Sequence, residues 1–135
     1  MCIRDSTYPV AEYGQEDPLL QRSSAATGLH VYRSDAIPEL ANLVLFGDNP
    51  SGEVFYVSAD LLPSGGQQAI RRILLNDSGD SKTLLQVIQE KNREQGRSPA
   101  SRVDLRFGSG PDGQVFLLNK RDGVIRLLVP SAGSQ

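Results

Sequence analysis

The chain has 135 residues, a net charge of −2, 39% apolar and 22% charged residues, and one histidine and one cysteine. That is enough chain for one modest core, and too little for a complete propeller of four or more blades at about 40–50 residues each. No clustered basic surface is present for nucleic acid, and no apolar run approaches the ~20 residues that cross a bilayer.

Residues 1–6 (MCIRDS) have no apolar core of the signal-peptide kind and resemble a short translated adapter scar, so they are set aside as non-native. The only cysteine, Cys2, goes with them, which leaves a body without disulfide, thiolate nucleophile or cysteine metal ligand. Residues 7–28 are polar and rich in turn formers, with Gly14, Pro18 and a Ser23-Ser24-Ala25-Ala26 stretch, and read as a loop or connector.

Four short β-type runs follow: Leu29 to Arg33, Asn42 to Gly47, Glu53 to Ser58 and Ala69 to Leu75. Ile37 to Leu40 between the first two reads as a turn or short 3₁₀ piece. The four runs make one antiparallel sheet. Asn76 to Asp80 reads as a turn, after which Ser81 caps a helix over about 82–95. Leu84, Leu85 and Ile88 give that helix a narrow apolar stripe, so it reads as an amphipathic surface insertion that Gly96 and Pro99 terminate. Three further strands are predicted at Arg102 to Phe107, Val115 to Asn119 and Val124 to Val129, with a frayed tail over 131–135.

Within this series one stretch occurs twice. Leu43 to Val57 (LVLFGDNPSGEVFYV) aligns with Asp104 to Leu118 (DLRFGSGPDGQVFLL), matching Phe46 to Phe107, Pro50 to Pro111, Gly52 to Gly113 and Phe55 to Phe116 at one offset (107 − 46 = 61). A repeated β-hairpin cannot bury both faces of a small sheet alone, so it implies stacked neighbours. Two equivalent, superposable hairpins are expected. The fold class is all-β: a partial β-propeller of about two blades, four plus three strands, over 29–130. The blade with three strands has an open edge that something must cover.

Three stretches together resemble the C-terminal part of the glucose/sorbosone dehydrogenase family, six-bladed propellers that use pyrroloquinoline quinone. They are Thr27-Gly28-Leu29-His30-Val31-Tyr32-Arg33; Pro38-Glu39-Leu40 leading into Phe46-Gly47-Asp48 and Gly52-Glu53-Val54-Phe55; and Arg102 to Gly108 with Asp122-Gly123-Val124-Ile125-Arg126. The resemblance implies a parent oxidoreductase that oxidises a sugar hydroxyl or small-molecule alcohol, with calcium beside the quinone and a periplasmic or secreted location. It also implies that the base and calcium ligands lie in upstream blades of the same chain. This piece alone is then inactive. Where the family places an R-x-R-D motif this chain has Arg102-Val103-Asp104-Leu105-Arg106, and where it places a lysine before the glycine aligned with Gly52 this chain has Asn49-Pro50-Ser51.

Arg102, Asp104 and Arg106 alternate along a predicted strand and share one face, where two guanidiniums braced by a carboxylate could grip an anionic cofactor. A salt-bridged solvent face is the plain alternative. Asp48 and Asn49 read as turn residues, with calcium binding as the thinner alternative. Lys120, Arg121 and Asp122 read as a solvated hairpin tip, and His30 as a surface or packed residue. No nucleophile elbow or paired-carboxylate spacing marks a hydrolase. A non-catalytic propeller that serves as a binding module, and a small β-repeat domain without a ligand, are the alternatives to the enzyme.

Overall fold

The computed structural model describes residues 10–14, 16–17 and 22–131. The predicted scar lies outside the described residues, as do residues 132–135 of the tail.

A two-residue ladder opens the described chain, with β1 (Glu16–Asp17) antiparallel to β2 (Arg22–Ser23) inside the stretch read as connector. The main sheet is a four-stranded antiparallel meander in the order β3 (Ala26–Val31), β4 (Leu43–Asp48), β5 (Val54–Ser58), β6 (Arg71–Ile73). Each strand coincides with one predicted β-type run, and Pro38–Leu40 forms a 3₁₀ turn between the first two. The run Ala69 to Leu75 is divided, however. Its last residue begins β7 (Leu75–Asp77), which pairs with β8 (Asp80–Lys82) around Ser78 and Gly79, so the predicted turn is itself a hairpin. Ser78 and Gly79 both take positive φ there, at 56° and 98°.

The helix α1 spans Leu84–Glu94, and its cap is Thr83 rather than Ser81. Ser81 is held in the β8 ladder opposite Asn76. Thr83 Oγ1 accepts from Gln86 N (3.2 Å) while Gln86 Oε1 accepts from Thr83 N (2.8 Å), a reciprocal capping box. Gly96 ends the helix at φ 68° as predicted. The helix is more than a surface insertion: Leu84 and Ile88 are fully buried in the main core, and buried Asn92 accepts from Ala100 N through Oδ1 (3.0 Å) to fix the chain that leaves it.

The second sheet has three antiparallel strands, β9 (Arg106–Ser109), β10 (Val115–Leu118) and β11 (Ile125–Leu127), with β10 in the centre. The chain is therefore mainly β, with sheets of four and three strands as read from the sequence. No closed barrel or ring forms among the described residues. The core lies between the sheets and the helix, built from Tyr32, Leu45, Val54, Val103, Leu105, Val115 and Leu117 with Leu84 and Ile88.

The two repeated hairpins are not equivalent. In the first, Phe46 stands opposite Phe55, and the ladder closes with Asp48 N donating to Glu53 O (2.9 Å) around Asn49 to Gly52. In the second, Phe107 stands opposite Leu117 and Phe116 opposite Gly108, and the ladder closes with Gly110 N donating to Gln114 O (2.9 Å) around Pro111 to Gly113. The second loop is one residue shorter. Side chains alternate along a strand, so that one residue turns β9 over relative to β4 while β10 keeps the facing of β5. Phe46 consequently lies on the outer face of its sheet, with Phe55 and Val57, whereas Phe107 points inward with Leu117.

Neighbouring strands of the two sheets run side by side. A Cβ on Gly28 would overlap the Phe107 ring, and one on Gly113 would meet the backbone of Arg33 and Ser34 at 2.9 Å. Both contacts advance in the same chain direction, so β3 and β9 are parallel. Val103 N donates to Pro50 O (2.8 Å) and Leu105 N to Asn49 O (3.0 Å), which ties the approach to β9 onto the first hairpin loop. Away from this seam the sheets separate into an open groove of about 960 Å³ whose lining includes Leu40, Leu75, Val87 and Leu128.

Candidate functional site

The predicted strand Arg102 to Phe107 begins only at Arg106, because Asp104 adopts φ 59° and the residues before β9 bond to the first hairpin loop. The burial alternation nonetheless holds. Val103 and Leu105 are fully buried, while Arg102 and Arg106 are exposed. Two of the three predicted site residues meet directly: Arg102 Nε donates to Asp104 Oδ1 (2.6 Å). Arg106 does not join them and donates through Nη1 to Leu105 O (2.8 Å).

The second guanidinium comes instead from Arg121 in the β10–β11 turn. Its Nη2 approaches Asp104 Oδ2 to 2.6 Å, off the hydrogen-bonding direction, so the contact is an ion pair rather than a directed hydrogen bond. Arg102 Nη2 also reaches Asn49 Oδ1 (3.3 Å), and Asn49 Nδ2 donates to Leu105 O (3.1 Å), so the first hairpin loop orients the site. The sequence alone puts Arg121 on a solvated hairpin tip. The only signal that could have found it is the Asp-Gly turn that swings residues 120–122 back toward the strand before them.

That turn is not simply solvated either. The Asp122 side chain is wholly buried and bound by Arg126 Nη2 (2.6 Å), Asn119 Nδ2 (3.0 Å) and Val124 N (3.0 Å). It is the structural brace that presents Arg121. Burial alone would raise the Asp122 carboxyl, but the Arg126 hydrogen bond and charge, with the Val124 and Asn119 donors, hold it below the ordinary range. The Asp104 carboxyl is likewise lowered: desolvation pushes it up, and the Arg102 hydrogen bond with the charges of Arg102, Arg121 and Lys120 outweighs that.

A carboxyl lowered in the folded state contributes stability above its unfolded pKa and loses it as pH falls through the folded value. Stability is therefore expected to be flat from pH 7 to about 5 and to decline below about pH 4. Urea midpoints measured at stepped pH check this, and Arg126→Ala should flatten the acid limb; an unchanged limb would remove Asp122 from the account.

Asp48 braces the turn. It is fully buried; Oδ1 accepts from Ala25 N (2.7 Å) and Tyr13 Oη (3.4 Å), and Oδ2 from Ser51 N (2.9 Å) and Ser51 Oγ (2.5 Å). Those donors occupy both oxygens. His30 faces the core opposite Leu45, with Nε2 buried and unpartnered, and Tyr32 Oη two residues on is buried in the same way. Among the described residues no three His, Cys, Asp or Glu side chains converge as a metal site, and no helix is long and apolar enough to cross a membrane.

Comparison of the chain with protein-family models, with curated proteins and with solved structures gives no match.

Proposed function

We propose that this chain is the C-terminal part of a quinone-dependent sugar dehydrogenase-like β-propeller, with the Arg102–Asp104–Arg121 cluster as a contact for an anionic cofactor. One observation carries the reading: β3 and β9, the first strands of their sheets, run side by side in the same direction. Innermost strands of adjacent blades in a propeller have that relation. The outer face of the second sheet agrees with it, since Ile125 and Leu127 are exposed there beside Phe116, an apolar face of the kind a neighbouring layer covers.

Pyrroloquinoline quinone is an anionic cofactor, and the donor chemistry of the cluster fits such a group. Asp104 binds Arg102 through Nε and holds Arg121 by charge, which leaves further N–H groups of both guanidiniums to meet carboxylates. When bound, the quinone accepts two electrons from the substrate carbon. The role of this chain is to hold and orient it; the base for the sugar or alcohol hydroxyl proton and the calcium ligands belong to upstream blades. Export to the periplasm or outside the cell is part of the same proposal.

The test is titration of the 135-residue chain with pyrroloquinoline quinone, followed by fluorescence. Weak binding is expected, reduced at least about fivefold by Arg121→Ala or Arg102→Ala and unchanged by Arg71→Ala on the exposed edge of the first sheet. Equal effects of all three would mean non-specific charge attraction. Dye reduction with glucose, quinone and calcium should be absent for the chain alone, and activity abolished by Arg102→Ala would overturn the inactive-fragment reading. A second reading, a non-catalytic propeller that binds other molecules, is favoured by the Arg106 guanidinium's absence from the cluster.

A further inference from the structure

The edge strand β11 is apolar, unpaired and self-complementary. Leu128 N donates to Val115 O (3.0 Å), and Arg126 stands opposite Leu117 in the same ladder. In an antiparallel ladder the hydrogen-bonded positions recur every second residue, so Arg126 and Leu128 turn their backbone groups toward β10. Ile125, Leu127 and Val129 turn theirs outward. The same three residues have exposed side chains, at 66%, 43% and 63% of their full surface. Three outward-facing peptide groups and three apolar side chains thus lie along one edge that no strand among the described residues covers.

Protein edges of this kind are normally blunted by lysine, proline or a bulge. None stands at these positions. Arg126, the one charge in the strand, points to the opposite face and is bound to Asp122. Pro130 falls at an inward-facing position of the alternation, so its missing N–H removes no outward donor.

We propose that this edge pairs with the same edge of a second copy of the chain, antiparallel, about a two-fold axis at Leu127. The register follows from the sequence: Leu127 of one copy stands opposite Leu127 of the other, and Ile125 opposite Val129. All three are hydrogen-bonded positions, so every outward N–H and C=O of residues 125, 127 and 129 finds a partner. The intervening pair sets Arg126 against Leu128, so no like charges meet. The two three-stranded sheets become one six-stranded sheet with β11 at its centre. A contact of one strand is small, which places its affinity on the order of 10–100 µM. The pairing does not depend on the quinone reading.

Sedimentation of the full chain over a concentration series spanning that range tests it. A two-chain species is expected; Leu127→Lys, which sets two ammonium groups directly opposite each other, should weaken it at least about tenfold. Leu61→Lys, at an exposed leucine outside both sheets, should leave it unchanged. In a Cys2→Ser background, Leu127→Cys should cross-link on oxidation. Ile125→Cys should link only when mixed with Val129→Cys. A monomer at every concentration, equal weakening by the two lysine variants, or linkage of Ile125→Cys to itself would each overturn the proposal.

Discussion

Replacing Asp48 by alanine is expected to destabilise the chain by about 3 kcal/mol, because the carboxylate is buried and its removal leaves the N–H groups of Ala25 and Ser51 without partners. The effect is larger than one hydrogen bond because Asp48 holds two segments at once: its own hairpin loop through Ser51, and the start of β3 through Ala25. Asp48→Asn keeps one oxygen acceptor and the side-chain volume, and should cost less, about 1–2 kcal/mol. Urea denaturation of both variants checks the order. Equal losses would mean that the charge and not the hydrogen-bonding pattern is what the loop needs, and a loss under 1 kcal/mol for alanine would show that the loop is held by its backbone alone.

Gly28→Ala should cost a similar amount, about 2–4 kcal/mol, for a different reason. Gly28 takes φ 67°, which an L side chain rarely adopts, and an added Cβ would overlap the Phe107 ring. The ring cannot retreat easily, since a Cβ on Gly47 would also meet it at 3.0 Å. Two terms therefore add: backbone strain and overpacking at the seam between β3 and β9. They can be separated. Phe107→Leu in the Gly28→Ala background should recover the overpacking part and leave the strain, so the double variant should be more stable than the sum of the single losses predicts. Strict additivity in thermal or urea unfolding would mean that the seam does not close through this contact.

The strands were legible because their signals are local. Each of the four runs from Leu29 to Leu75 alternates or is β-branched and is bounded by Gly, Pro, Asn or Asp, and each yields a strand within a few residues of its expected place. Asp104 was not legible in the same way. Nothing in Arg102-Val103-Asp104-Leu105-Arg106 announces a positive φ at its centre; that conformation follows from Val103 and Leu105 bonding to Asn49 and Pro50, more than fifty residues away in sequence. The helix cap moved from Ser81 to Thr83 because β7 and β8 claim Ser81 for a ladder, a competition invisible to a pattern centred on the helix. Of the candidate site, the Arg102–Asp104 pair was readable from spacing, whereas Arg121 was not, since its place is set by the buried Asp122–Arg126 brace beneath the turn. Local patterns found the elements, and long-range pairing decided which side chains met.

The shortened loop of the second hairpin bears on how such units diverge. With one residue fewer between Gly110 and Gln114, β9 shows the core the residues whose counterparts in β4 face away from it, although β10 and β5 still agree. Likeness of letters and likeness of surroundings have come apart on one strand only. The phenylalanine of each Phe-Gly pair therefore answers to different neighbours: Phe46 sits beside Phe55, with ring centroids 5.7 Å apart, and Phe107 lies over two glycines. A segment transplanted from one hairpin to the other would carry a familiar sequence into the wrong environment.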